Sequence, residues 1–422
     1  MDLSPENSSY LRLWHSTGQL CGRIELPGSK SESNRLLILS AIYPDTLKIK
    51  GLSTADDTQL LQQILTSKQS LGSVHCRMAG TAYRFLTAYY AATPGAHVLL
   101  TGSDRMFERP IGPLVDALRQ LGADIQYVGK EGFPPLEIKG TQLTGGLVTV
   151  DGSTSSQFIT ALMLIGCSLP LGLKIHIQGY PVSVPYIYLT ASTLWQVGLK
   201  VDVRLPEIHL YPSSPKKSVV RVEPDWSAAS YWYLMALLSQ RAEIYLPGLR
   251  IPSMQGDSVV RGYFDALGVE TVFLGSGIRI FKKTQSQNQS LQLDLRDTPD
   301  IAQTLAVALA AIGQSGTLTG LDTLPLKETD RLLALHNELT RCGARVESHT
   351  HSLTIRSSLH LKQNQLIHTY GDHRMAMAFA PLALLSPIVI QNPSVVSKSY
   401  PTFWQDLKKV GFSIEYLNSA KE

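Results

Sequence analysis

Lysine and arginine are unfavourable at the start of a helix, because free amides and the macrodipole already place partial positive charge there. The segment Ser29-Lys30-Ser31-Glu32-Ser33-Asn34-Arg35 nevertheless puts Lys30 and Arg35 into such a start. Pro27-Gly28 breaks the preceding strand, Ser29 and Glu32 have capping-box spacing, and residues 36–42 are apolar enough to bury the helix that follows. An anion, phosphate above all, resolves the conflict. A solvated basic helix start would read the same way from this segment alone.

Other loop-to-helix junctions carry side chains of the same kinds. Ser153-Thr154-Ser155-Ser156-Gln157 offers hydroxyls and an amide as neutral donors, with Thr154 and Gln157 in capping-box spacing. Gly80 and Thr81 open another apolar run, Arg109 stands just before a proline-initiated helix, and Ser183 and Tyr186 flank a further start. The second half contributes Asp225, Gln255, Asp300, Lys398 and two denser clusters. Lys327 and Arg331 lie one helical turn apart with Glu328 beside them. Asp372, His373 and Arg374 come directly before a run apolar enough to be buried, and burying three ionisable groups is costly without a task. Taken singly, each has a plain structural alternative: an ordinary cap, a surface arginine, an i,i+4 ion pair on an exposed helix. Together they describe a cationic site for a small polyanion, with Asp300, Glu328, Lys30 and His373 able to move protons.

Several chemistries are excluded. The sequence holds no G-x-x-x-x-G-K-[ST], no G-x-G-x-x-G after a strand, no H-E-x-x-H, no nucleophile elbow and no calcium-loop spacing. Cys21, Cys76, Cys167 and Cys342 are far apart and form no C-x-x-C pair, which argues against a zinc ribbon and a disulfide framework. Acid/base chemistry without metal or cofactor is expected. The net charge of +4 suits small anionic substrates, and no basic run interleaved with aromatics points to nucleic acid. Residues 1–7 lack the basic flank and apolar run of a signal peptide, and the longest apolar stretch, 375–390, is interrupted by Pro381, Ser386 and Pro387. A soluble, monomeric, cytoplasmic protein is expected.

The elements that must position these residues repeat. Gly122, Gly198, Gly268, Gly343 and Gly411 each close an amphipathic run and precede a β-type run, roughly 70 residues apart. Nearly all-apolar helices are predicted at 158–166, 228–238, 301–312 and 375–385, and amphipathic ones at 111–121, 186–197, 258–267, 329–341 and 401–410. Short strands intervene, among them 47–50, 97–101, 173–177, 243–246, 316–321 and 387–390, then 136–139, 219–222, 278–281 and 352–355. The unit is βαβαββ, six times, with a shortened first copy. With 44% hydrophobic and 17% charged residues, 422 residues can build more than one large core. The reading is an α/β chain of two domains with three repeats each, sheets packed around buried helices. The domains are drawn at 29–224 and at 1–28 plus 225–422, with the opening strand near 19–26 pairing in the second. Two facing domains would hold a cationic cleft between them.

The segments 26–35, 79–84, 109–121, 151–162, 183–187, 253–257, 327–332 and 372–377, with Lys398, span nearly the whole chain. In this order they resemble the 5-enolpyruvylshikimate-3-phosphate synthase (3-phosphoshikimate 1-carboxyvinyltransferase) family of enolpyruvyl transferases. Lys-Ser-x-Ser-Asn-Arg at 30–35, Lys-Glu-Thr-Asp-Arg at 327–331 and Asp-His-Arg-Met-Ala at 372–376 carry most of the specificity. The resemblance implies a two-domain inside-out α/β barrel. It also implies an aromatic amino-acid biosynthetic enzyme of the shikimate pathway, transferring the enolpyruvyl group of phosphoenolpyruvate to the 5-hydroxyl of shikimate 3-phosphate through a tetrahedral intermediate. Lys30, Ser31, Arg35, Ser155, Ser156, Gln157, Ser183, Tyr186, Asp300 and Lys327 would hold shikimate 3-phosphate. Lys30, Gly80, Arg109, Gln157, Arg331, Arg374 and Lys398 would hold phosphoenolpyruvate. Asp300, Glu328 and Lys30 would transfer protons.

Met78 and Thr323 depart from the family, which usually has Asn at both places, and Phe85 replaces a commoner Pro. Retained Gly80 implies inhibition by glyphosate, an anion expected at the phosphoenolpyruvate site. The sister transferase acting on UDP-N-acetylglucosamine commonly uses a loop cysteine as acid, and the Arg109 loop has none. An inactive homologue would be expected to lose Lys30, Asp300, Glu328 or Arg374, and all are present.

Overall fold

The computed structural model describes residues 9–283 and 290–418; the segment 1–7 inspected above for a leader lies outside them. Two compact units form: one is Gly28–Glu223, the other joins the segment up to Pro27 to the segment from Pro224 onward. Among the described residues there are six sheets, five of four strands and one of two.

Each four-stranded sheet has one plan. A middle strand pairs in parallel with one neighbour and antiparallel with the other. His97–Thr101 thus lies between Leu71–His75 and Leu136–Lys139, with Asp124–Tyr127 beyond. The helix that comes before each middle strand is buried on nearly all sides. In Trp226–Leu238 every residue except Ser227 is buried. Three such helices pack on one another in each unit: Lys30–Ile42, Gly80–Ala91 and Ser156–Gly166 in one, Trp226–Leu238, Ala302–Ile312 and His373–Phe379 in the other. Each unit consequently has its own apolar core. Leu36, Leu86 and Phe158 are central to the first; Trp232, Leu305 and Phe379 are central to the second. Burial of each large side chain contributes roughly 1.5–3 kcal/mol. No helix among the described residues is long and apolar enough to cross a membrane.

The five repeat glycines all lie in the left-handed region, at φ 92°, 87°, 103°, 90° and 100°, where a side chain is disfavoured. They end the second helix of each repeat after the first and turn the chain into the next strand. The first copy is indeed short: its sheet holds only Leu47–Lys50 and Ser218–Arg221.

Some local expectations are corrected. Ser29 caps its helix by accepting from the Glu32 amide, but the reciprocal half of the capping box is absent. The Ser29 amide goes to the Glu223 carbonyl at 2.8 Å, and the Glu32 carboxylate accepts from the Glu223 amide at 3.0 Å. At the third start Ser155, not Thr154, is the cap, because Thr154 donates instead to Asp151. The helix after Lys327 begins only at Arg331, with Asp330 as cap, so Lys327 and Arg331 are not successive turns of one helix. The last buried helix stops at Phe379 and continues as 3₁₀ turn through Pro381, whose missing amide breaks the α ladder. Strand Ser218–Arg221 belongs to the first copy, not the third. Tyr10–His15, unexpected as a strand, pairs with both Ile388–Gln391 and Phe412–Leu417. Gln19–Arg23 pairs with Arg241–Tyr245 in the second unit, as the opening strand was expected to.

Candidate active site

In the unit Gly28–Glu223 the polar helix starts meet. Lys30 Nζ reaches Asp57 Oδ2 at 3.0 Å, with side chains only 15% and 8% exposed. Gln157 bridges to the neighbouring helix: its Nε2 donates to Thr81 Oγ1 at 3.2 Å, and its Oε1 accepts from Arg84 Nη1 at 2.8 Å. Ser155 caps that helix by accepting from the Gln157 amide, and Ser156 is buried beside it. Ser183 adopts a left-handed conformation at φ 54° as the cap of Val184–Gln196, a strained state for a non-glycine residue. Its carbonyl accepts from the Tyr186 amide.

Arg109 is buried, and its Nε finds no hydrogen-bond partner. Its guanidinium lies flat against Gly80; a Cβ there would stand 2.5 Å from Nη1. A buried cation is therefore held over the N-terminus of Gly80–Ala91, where the dipole repels it. An anion bound beside the pair would offset both positive charges. The Gly80 amide itself donates to the Met78 carbonyl at 3.0 Å. Arg35 is different. It donates to Thr190, Thr160 and the carbonyls of Tyr186 and Ser31, and stacks on Phe85. Burial pulls its pKa down to about 10. Four of its five donors are thus spent inside the unit, where they fix Ser31 and Tyr186.

In the other unit Arg331 is the hub. This buried guanidinium meets three carboxylates: Asp372 at 2.6 Å, Glu328 at 2.8 Å and Asp300 at 3.0 Å. Arg374 grips Asp300 through its carboxylate at 3.0 Å and through its carbonyl at 2.9 Å. Lys327 stands 3.5 Å from Asp300, and Lys398 3.2 Å from Glu328. Asp372 also caps His373–Phe379 by accepting from the Arg374 amide at 2.8 Å. His373 is buried beside it, 3.4 Å away. Desolvation alone would raise the Asp300 carboxyl, but Arg374, Lys327 and Arg331 outweigh it and hold the group well below the usual carboxylate range. Asp257 goes the other way. Burial, reinforced by Asp300 and opposed by Arg374, pushes it up to about 6, and it accepts from the Ser227 hydroxyl. Asp225 caps Trp226–Leu238, and Gln255 braces the same start through the Trp226 amide and the Pro224 carbonyl.

The sequence profile described as EPSP synthase (3-phosphoshikimate 1-carboxyvinyltransferase) matches residues 15–74 and 65–407. The 3-phosphoshikimate 1-carboxyvinyltransferase of Bacteroides fragilis strain ATCC 25285 is 44% identical over 414 residues, covering 96% of this chain and 98% of the relative. The chain belongs to the EPSP synthase family. The Neisseria meningitidis serogroup B member is 35% identical over 416 residues, covering 90% of this chain and 94% of its own. An EPSP synthase structure from Acinetobacter baumannii superposes with a TM-score of 0.77 at 21% identity, over 96% and 99% of the two chains, and shows the shared fold.

Against the family pattern, Met78 is half-buried and offers no side-chain donor. Thr323 keeps a hydroxyl that is buried and without a hydrogen-bond partner. Three site residues escaped the sequence reading. Asp57 sits in a helix start with two adjacent acids, which a search for the counter-ion of Lys30 would have found. Arg84 and Asp257 lay inside matched segments but carried no local signal of their contacts with Gln157 and Ser227.

Proposed function

We propose that this member of the EPSP synthase family transfers the carboxyvinyl group of phosphoenolpyruvate to the 5-hydroxyl of shikimate 3-phosphate and releases phosphate. The supporting observation is the arrangement in which Asp300 and Glu328 share the cations Arg331, Arg374, Lys327 and Lys398. Acid/base groups and carboxylate-binding groups are there the same network.

That sharing has a chemical use. With Arg331 and Arg374 turned on Asp300, this carboxylate is too weak a base to take a hydroxyl proton. The carboxylate of phosphoenolpyruvate, accepting from Arg331 and Arg374, draws those cations away and raises the basicity of Asp300. Asp300 then takes the proton of the 5-hydroxyl as its oxygen attacks C2, and Glu328 delivers a proton to C3. The tetrahedral intermediate collapses when Glu328, ionised by the first step, takes a proton back from C3 and phosphate departs. Arg109, Lys398 and the Gly80 helix start hold the leaving phosphate, and Lys30, poised by Asp57, assists the proton traffic. Ser155, Ser156, Gln157, Ser183, Tyr186, Ser31 and Lys327 hold shikimate 3-phosphate. Arg35 serves that substrate by fixing Ser31 and Tyr186 in place. Each charge-assisted bond contributes roughly 1.5–3 kcal/mol.

Phosphate release from phosphoenolpyruvate tests this reading. It should require shikimate 3-phosphate and should not occur with UDP-N-acetylglucosamine; release driven by the sugar nucleotide would refute it.

A further inference from the structure

The shortened first repeat leaves a strand edge open. In the five four-stranded sheets, the middle strand is flanked on one side by an antiparallel strand. Leu47–Lys50 is the middle strand of the first copy and, among the described residues, pairs only with Ser218–Arg221, in parallel. Helix Asp56–Thr66 runs almost directly into strand Leu71–His75, with no hairpin between them. The two segments matched by the EPSP synthase profile meet at this same place, 65–74.

The open edge is equipped for pairing. The Ser218 and Val222 amides donate to the Thr46 and Lys50 carbonyls. The strand's even-numbered peptides therefore face that neighbour, and those of Leu47 and Ile49 face outward. Beneath lies a groove of about 620 Å³, lined by Leu47, Ile49, Leu52, Ile64, Leu65 and Tyr89 among others. Leu47 and Ile49 are only partly buried. Their counterparts under returning strands, Val98, Leu100, Ile175 and Ile244, are 0% exposed.

The sister sheets also show what chemistry fits. In the third copy Glu207 on the returning strand pairs with Lys174 at 2.7 Å and faces His176; in the second, Glu137 pairs with His97 at 2.7 Å. Lys48 and Lys50 stand exposed at the corresponding outward positions, without an ion pair among the described residues. We propose that this edge docks an extended segment of a partner protein, antiparallel to Leu47–Lys50 and alternating apolar with acidic residues. The main chain would supply the ladder, the groove would take the apolar side chains, and the lysines would select the acidic ones.

The test is fluorescence polarisation of the full chain with a blocked, dye-labelled peptide alternating leucine or isoleucine with glutamate. Saturable binding below about 1 mM is expected, with slowed amide exchange at Leu47 and Ile49. Lys48→Glu/Lys50→Glu should weaken it roughly tenfold and favour the lysine-substituted peptide instead, with turnover unchanged. No saturable binding, or binding indifferent to the charge reversal, overturns the proposal. So does a concentration-dependent dimer in sedimentation that the same double substitution abolishes, since the edge would then belong to a second copy.

Discussion

At the scale of single residues, the site is governed by which cation faces which anion. Gly80 is small because Arg109 lies against it. Gly80→Ala should push that guanidinium aside, raise KM for phosphoenolpyruvate on the order of tenfold and spare kcat more. Glyphosate should inhibit the unsubstituted enzyme and lose potency against the variant; undiminished turnover of the unsubstituted enzyme at millimolar glyphosate would contradict this. Asp300→Ala removes the proposed base while leaving Arg331 and Arg374 available to substrate. Its kcat should fall by about 10²–10⁴, with a smaller change in KM, and steady-state kinetics will separate the two. Asp257 predicts a pH effect on stability. Its pKa of about 6 in the fold lies above its unfolded value, so the folded state holds the proton more tightly. Stability should fall as pH rises from about 4 to about 6 and then level off. Urea melts of Asp257→Asn should lack this fall, gaining on the order of 2 kcal/mol over the parent at pH 7 relative to pH 4.

At the scale of elements, the repeat glycines separate backbone strain from packing. A Cβ at Gly122 meets nothing within 4 Å, whereas one at Gly343 meets the His360 backbone nitrogen at 3.0 Å. Gly122→Ala should cost only the left-handed penalty, about 1 kcal/mol, and Gly343→Ala more; denaturant titration will rank them. The same glycines explain why the fold was legible. A left-handed stop every 70 residues or so fixes the unit, and apolar runs such as 226–238 fix which helices are buried. Strand Leu47–Lys50 and helix Ser156–Gly166 were readable from local pattern. The pairing of Tyr10–His15 with strands near the other end of the chain was not, because long-range register leaves no periodic mark. The candidate site was legible as residue types at helix starts. Partnerships such as Lys30 with Asp57 were not, since they depend on how helices pack. The Ser29 box failed for a related reason: the Glu223 carbonyl competed for the Ser29 amide.

At the scale of the whole molecule, a net charge of +4 and a site rich in arginine and lysine should draw in substrates that are multiply anionic. Raising ionic strength from about 0.01 to 0.5 M should lower kcat/KM for phosphoenolpyruvate several-fold through screening, with little change in kcat. Chain order has another consequence. The unit Gly28–Glu223 is contiguous, but the other needs Tyr10–His15 against Phe412–Leu417 and Gln19–Arg23 against Arg241–Tyr245. During synthesis Tyr10–His15 is thus made long before the strand Phe412–Leu417 that it pairs with. A nascent chain can complete the contiguous unit early, at synthesis rates of about 5–20 residues per second, while Tyr10–His15 and Gln19–Arg23 still wait for strands of the other unit. Synthesis must pass Leu417 before the sheet that seals the second unit can close.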